Sequence, residues 1–333
     1  MLDPAPFERA AAVGLPAAGV THAPAARFEW SRIPGVAYTL AGLCLTFALA
    51  AKGFLDPANL ANVGMQSTIL LMLALPMTLI ILTEGIDLSM GAVLTVASVV
   101  LAATVVGTGS ATLGLCAALA LGAAFGFVNG ALTAWVGIPP FVVTLGTMGI
   151  AQGLALIVTD AQSIVGMPVT VTWWYGGFLA GIPVPIVVAV LFYLATHALL
   201  YHTRFGTYVF ALGGNPEALR LAGVRADLYL VGVYVLGGLA CGLAALVLTA
   251  RMSAGHPTAA IGLEFEAIAA VALGGTSFEK GNGWLFGSVL GVLTVGVLRN
   301  GLNLLGTQSA VQVAAIGVLV IGALLVDNLR SRR

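Results

Sequence analysis

Few residues in this chain could do chemistry, and the acidic ones that could fall into two clusters. In TEGIDLSMG, Thr83 to Gly91, Glu84 and Asp87 stand three apart and share a face if the backbone is helical, while Gly85 and Gly91 loosen the chain on either side. In IGLEFEAIAAVALGGTSFEKGNGW, Glu264 and Glu266 precede a short apolar run. Asn129, Thr144, Thr147, Gln152, Asn300 and Asn303 lie within or beside long apolar stretches. Carboxylates and amides so placed could relay protons or hydrogen-bond a hydroxylated solute, and an acid at membrane depth is a functional candidate by default. They offer no catalytic centre. The chain has no GxxxxGK[ST] phosphate loop, its four histidines are scattered, and Cys44, Cys116 and Cys241 sit in apolar runs without metal-ligand spacing, as small packing residues would.

Each of these groups also has a purely structural use. Asp87 or Ser89 is a natural N-cap for a helix beginning near Met90, and Glu264 and Glu266 suit a first helical turn, where dipole and water favour carboxylates. The Asn and Thr groups would hydrogen-bond between helices, at about 0.6–2 kcal/mol each.

The elements that must position them are read from composition. Of 333 residues 59% are hydrophobic and 8% charged, and the mean hydropathy is +1.05. That leaves too little polar surface for a soluble globule of this size, so the expected class is an all-α polytopic membrane protein. The net charge of zero and the lack of any Lys/Arg run exclude nucleic acid as a partner and leave the lipid bilayer. Residues 1–34 mix Ala, Pro and isolated charges, lack the compact apolar core of a secretory signal, and read as a flexible cytoplasmic tail ahead of a transmembrane domain at 35–333.

Ten apolar runs follow, at 36–52, 66–83, 90–107, 111–134, 141–159, 184–201, 228–249, 264–276, 285–303 and 309–326. With all ten crossing and the N-terminus inside, ten basic residues collect on the cytoplasmic side and only Lys52, Arg251 and Arg299 outside, which favours N-in, C-in. The eighth run is too short to cross alone, being uninterrupted only from Ala267 to Leu273; it must be a buried half-helix or a helix with wetted ends. Gly122, Gly126 and Gly130 recur every fourth residue, the spacing that lets two helices approach closely. The longer breaks at 160–183 and 202–227 read as loops, with no second domain.

One polar stretch breaks the pattern: GGNPEALRLAGV, Gly213 to Val224. Asn215 is a good N-cap, Pro216 suits the first helical position and Gly223 the helix end, so 216–222 should form about two turns. Ala218, Leu219, Leu221 and Ala222 give that helix an apolar side, which could rest on the membrane surface or enter a groove on a partner.

The phrases EGIDLSMGAV, PPFVVTLGTMGIAQGLAL, TRFGTYVFALGGNPEALRLAGV, EFEAIAAVALGGTS and VLRNGLNLLG, in this order and spacing, resemble those of membrane permeases of sugar-importing ATP-binding-cassette transporters, the ribose, xylose and arabinose branch. The resemblance runs from about residue 40 to 326. It implies ten-span subunits with a vitamin-B12-importer-like fold, paired as a homodimer or close heterodimer in a bacterial inner membrane. It also implies a cytoplasmic ATPase partner that uses the ATP and magnesium, no cofactor on this chain, and a periplasmic sugar-binding protein. The stretch holding Gly213, Gly214, Asn215, Pro216, Glu217, Ala218, Arg220 and Gly223 resembles the coupling helix that seats in the ATPase. Candidate path residues are then Glu84, Asp87, Asn129, Thr144, Thr147, Glu264, Asn300 and Asn303. Two departures stand out: Glu84 replaces a customary Gly before Gly85-Ile86-Asp87-Leu88-Ser89, and Phe278-Glu279-Lys280-Gly281 replaces a Gly-Gly turn. Rival readings are a secondary transporter with Glu84, Asp87 or Glu264 as proton relay, and, within the same class, a branched-chain amino-acid or autoinducer permease.

Overall fold

A computed structural model describes residues 35–277 and 281–331, side chains included except at positions 323, 324 and 326–331. The proposed tail at 1–34, the Phe278-Glu279-Lys280 departure and residues 332–333 lie outside the described residues. Thirteen α-helices account for most of what is described. They are α1 Gly35–Ala50, α2 Pro57–Leu82, α3 Met90–Thr108, α4 Ala111–Ala131, α5 Pro140–Thr159, α6 Val169–Gly176, α7 Val184–His202, α8 Arg204–Gly214, α9 Pro216–Leu221, α10 Ala226–Met252, α11 Leu263–Leu273, α12 Leu285–Leu304 and α13 Ser309–Ser331. A π-helical turn, Leu132–Val136, prolongs α4 until Gly137 ends it at φ 78°.

Helices apolar all round are buried or lipid-facing, and these sort into both kinds. α2, α3 and α10 form the buried centre, while α4, α5 and α7 expose most of their apolar surface. α3 and α10 run parallel, tied by Ser98 Oγ to Thr249 Oγ1 at 2.8 Å and by the Cys241 thiol donating to the Met90 carbonyl at 3.4 Å. α4 packs most extensively on α10. A Cβ added at Gly122 or Gly126 would strike the α10 backbone at Gly238 or Tyr234, and one at Gly130 would lie 2.7 Å from the Val231 Cα. The four-residue glycine spacing therefore does what its period suggested.

Among the described residues seven helices are long and apolar enough to cross a membrane: α2, α3, α4 with its π turn, α5, α7, α10 and α12. α1 and the described apolar part of α13, Ser309–Gly322, are shorter. The eighth apolar run is α11, of 11 residues. Its shortness is explained by what precedes it. After α10, strand β4 (Ala254–Gly255) pairs antiparallel with β1 (Ile164–Val165) beside Ala102, and the chain then doubles back along α3. The Ala260 N–H donates to Thr95 Oγ1 at 3.2 Å, and Glu264 reaches Gly91 in the first turn of α3. Non-helical descent and helix thus follow one another, each about 16 Å long at 1.5 Å per α3 or α11 residue. Such backbone is tolerated inside a bundle only where its polar groups are paired, and here side chains from α3 and α11 supply partners.

The two long breaks are less bare than expected. The first holds α6 and a two-residue hairpin of β2 (Phe178–Leu179) and β3 (Ile182–Pro183); the second is almost wholly α8 and α9. α8 was legible in Phe205, Val209 and Leu212, three to four apart beside the charged Arg204. Of the cysteines, Cys241 is buried as a packing residue should be, Cys44 is half-buried, and Cys116 is exposed on α4.

Candidate functional site

Four of the path candidates meet in one buried cluster. The connector between α2 and α3 leaves α2 in a Schellman turn: the N–H of Glu84 donates to the Ile81 carbonyl at 2.9 Å and that of Gly85 to the Ile80 carbonyl at 3.0 Å. Glu84 sits in the left-handed region at φ 60°, where Gly would be unstrained, and its side chain is exposed. The chain then turns inward, so that Asp87 is 3% exposed. Asp87 Oδ1 accepts from the Ser89 N–H at 2.8 Å and from Ser89 Oγ at 2.6 Å. This corrects the capping expectation for Ser89, which occupies the N-cap position of α3 but whose hydroxyl is spent on Asp87 and makes no cap bond.

Asn129 of α4 donates from Nδ2 to Ser89 Oγ at 2.9 Å and, more weakly, to Asp87 Oδ2 at 3.5 Å; its Oδ1 accepts from Thr147 of α5 at 2.7 Å. Thr144, one turn earlier on α5, donates to the Ile86 carbonyl at 3.3 Å and to Pro140 of its own helix at 2.9 Å. Connector, α4 and α5 are therefore joined by one chain of hydrogen bonds. Tyr234 of α10 stands at its edge, fully buried, with a hydroxyl that has no partner and that would lie 2.5 Å from a Cβ on Gly85.

The other path candidates lie elsewhere. Glu264 stands in the first turn of α11, as expected, and both its oxygens accept from the Gly262 N–H at 3.1 Å, but at 1% exposure it is not held there by water. Glu266 pairs with Arg299 of α12. Asn300 exchanges two amide hydrogen bonds with Asn59 at the start of α2, at 2.9 and 3.0 Å, which clips α12 to α2. Asn303 is exposed. Ser89, Tyr234 and Asn59 were missed: a Ser after an Asp reads as a cap, a lone Tyr as packing, and Asn59 as a loop residue.

The polar stretch forms a helical hairpin. The Asn215 side chain caps α9 by accepting from the Ala218 N–H at 2.9 Å, and Gly223 at φ 79° closes it, with Gly223 and Val224 donating to the Arg220 and Leu219 carbonyls. The helix ends at Leu221 with Ala222 as C-cap, one residue short of the expected 216–222. Its apolar side is split. Leu219 turns inward onto Leu212 and Ala226, whereas Leu221 is 82% exposed, together with Pro216, Glu217, Ala218, Arg220 and Gly223. Arg220 donates to Asp227 at 2.8 Å, a hydrogen bond that raises the guanidinium pKa further above its ordinary value. Gly214 and Asn215 form the exposed bend between the two helices. Gly213 is buried: a Cβ there would collide with the Leu82 carbonyl at the end of α2 and lie 2.7 Å from the Gly281 Cα. The hairpin thus rests on the helix end that leads into Asp87.

The family model described as branched-chain amino acid transport system / permease component matches residues 59–326. The ribose import permease protein RbsC of Escherichia coli K12 is 40% identical over 288 residues, 84% of this chain and 88% of that protein. RbsC of Bacillus subtilis is 38% identical (87% and 90% covered), and the D-allose transport system permease protein AlsC of Escherichia coli K12 is 34% identical (90% and 92% covered). No solved structure matches the chain. With most of its length matched by the family model and by these permeases, the chain belongs to the family of ATP-binding-cassette importer permeases.

Proposed function

We propose that this chain is the membrane-spanning subunit of an importer that carries a monosaccharide, a pentose or related sugar, into the cytoplasm, driven by ATP hydrolysis on a separate subunit. The observation that carries this reading is similarity over more than four-fifths of both chains to permeases named for ribose and allose. The family model's description names branched-chain amino acids, but the individual relatives named for sugars favour the sugar.

In this reading residues 35–333 are one permease domain with ten traverses: the seven long helices, α1 and α13, and the combined descent and half-helix of 253–273. The fold is of the vitamin-B12-importer kind, both termini face the cytoplasm, and two such subunits pair. The exposed α9 is the coupling helix. Leu221, Glu217 and Arg220 face the ATPase, while Leu219 and the close approach of Gly213 to Leu82 transmit its displacement to α2 and the Asp87 connector. A periplasmic binding protein delivers the sugar, and this chain holds no cofactor. The secondary-transporter alternative has less support, since Glu84 is exposed and Glu264 is engaged by Gly262.

Reconstitution with its ATPase and binding protein in proteoliposomes tests the reading. ATP-dependent uptake of ribose, D-allose or fructose is expected. Uptake driven by a proton gradient without the ATPase would overturn it.

A further inference from the structure

A second polar enclosure lies far from the hairpin and apart from the Asp87 cluster, with the first turn of α11 between the two, and we propose that it is a subsite for one neutral, polyhydroxylated ring of monosaccharide size, occupied at the outer side before the sugar moves inward. The proposal rests on the sugar-permease reading above. The enclosure is a cavity of about 290 Å³ between α2, α10, α11 and α12, near the small end of the range for ligand pockets. Arg251, in the last turn of α10, is at its rim. At 27 residues α10 carries that rim about 40 Å from the end where the α8–α9 hairpin attaches.

The lining is mixed: Gln66 and Ser67 from α2 and Arg299 from α12 bring polar groups, and Leu263 and Val295 bring aliphatic surface. Ser67 is 6% exposed and its hydroxyl has no partner. A buried hydroxyl left so is unfavourable, which makes it a group that a ligand hydroxyl would complete. Gly296 holds the space open, because a Cβ there would collide with Ser67 Oγ. Arg299 spends one arm on Glu266, which orients the guanidinium and balances its charge, leaving further N–H donors. Arg251 is exposed, stacked 5.9 Å from the Tyr175 ring centroid, so the inner part of the cavity is neutral overall.

This chemistry selects among ligands. A cation would meet no carboxylate in the lining, and a hydrocarbon would leave Ser67 and Gln66 unpaired. A sugar ring presents hydroxyls on its edge, for the guanidinium, amide and hydroxyl, and C–H groups on its face, for Leu263 and Val295.

The test uses the full complex of permease, ATPase and binding protein in lipid vesicles. Cys44, Cys116 and Cys241 are replaced by Ala, and Ser67→Cys is introduced. Labelling by a small water-soluble thiol reagent is timed with and without whichever of ribose, D-allose or fructose the unsubstituted complex imports, and with inorganic phosphate. At a sugar concentration about ten times that giving half-protection, labelling is expected to slow roughly tenfold by occupancy, and phosphate to leave it unchanged. Gly296→Val, which fills the cavity, and the milder Ser67→Ala should both slow import at wild-type protein levels. Labelling unaffected by sugar, protection by phosphate alone, or wild-type import by Ser67→Ala and by a stably expressed Gly296→Val would each overturn the subsite while leaving the permease reading intact. Failure of the unsubstituted complex to import any of the three sugars would sink that reading, and the subsite with it.

Discussion

Asp87 accepts two hydrogen bonds from Ser89 and a longer one from Asn129, all out of reach of water. Removing the acceptor strands buried donors at about 1–3 kcal/mol each, whereas an amide of the same shape keeps one good acceptor. Asp87→Ala should therefore lower the melting temperature in detergent well beyond Asp87→Asn; equal losses would show that the cluster does not hold the connector. Glu84 gives a second test of the same turn. At φ 60° a glycine is unstrained and a β-branched residue is not, so stability should fall in the order Glu84→Gly, wild type, Glu84→Val, over a range of about 1–2 kcal/mol. A Val variant as stable as wild type would contradict the left-handed turn. Asp87, Asn129, Thr144 and Thr147 were each visible in the sequence as polar residues in apolar surroundings. Their meeting was not, because it depends on the connector dipping beside α4 and α5, and no period records a dip. Asn300 and Glu264 looked the same in sequence and went elsewhere, one to an amide pair and one to a backbone N–H.

Among the elements, those with a period or a cap were the legible ones. The α4–α10 seam follows from glycines every fourth residue, and α9 from Asn215, Pro216 and Gly223. α11 was legible as an anomaly only: its length depends on how far the preceding chain descends along α3, a tertiary fact that local sequence does not carry. The seam predicts that Gly126→Leu destabilises the protein by about 1–3 kcal/mol or prevents its accumulation, since the side chain must displace the α10 backbone. Gly107→Ala, near the end of α3 where an added Cβ meets nothing, should leave the melting temperature unchanged or raise it slightly in the same thermal assay. For α9 the expectation concerns coupling. Gly223→Val distorts the left-handed helix end and Glu217→Trp alters the exposed face, yet neither touches the core. Glu217→Trp should keep wild-type stability within about 1 kcal/mol and Gly223→Val should lose about 1–2 kcal/mol to left-handed strain while still folding; both should lose most sugar uptake, while ATP hydrolysis no longer responds to the loaded binding protein. Normal uptake with normal stimulation in both variants would remove α9 from the lever role.

At the scale of the whole molecule the proposal stands on sidedness. In the proposed N-in arrangement of ten traverses the hairpin and the β1 strand face opposite compartments, separated by α7. Leu221 and Val165 are both well exposed, at 82% and 67%, so each can report its compartment as a single cysteine in a chain otherwise free of them. A membrane-impermeant maleimide should label Leu221→Cys only in inside-out vesicles and Val165→Cys only in right-side-out ones. Adding the ATPase subunit should then shield Leu221→Cys and leave Val165→Cys untouched, because the contact proposed for α9 covers Leu221 and nothing near β1. Labelling of both positions from one side would mean that α7 does not cross. Labelling on opposite sides but in the reverse sense would put α9 outside, where no nucleotide-hydrolysing partner could grip it, and the transport cycle drawn from the hairpin through Leu82 to Asp87 would have no source of energy.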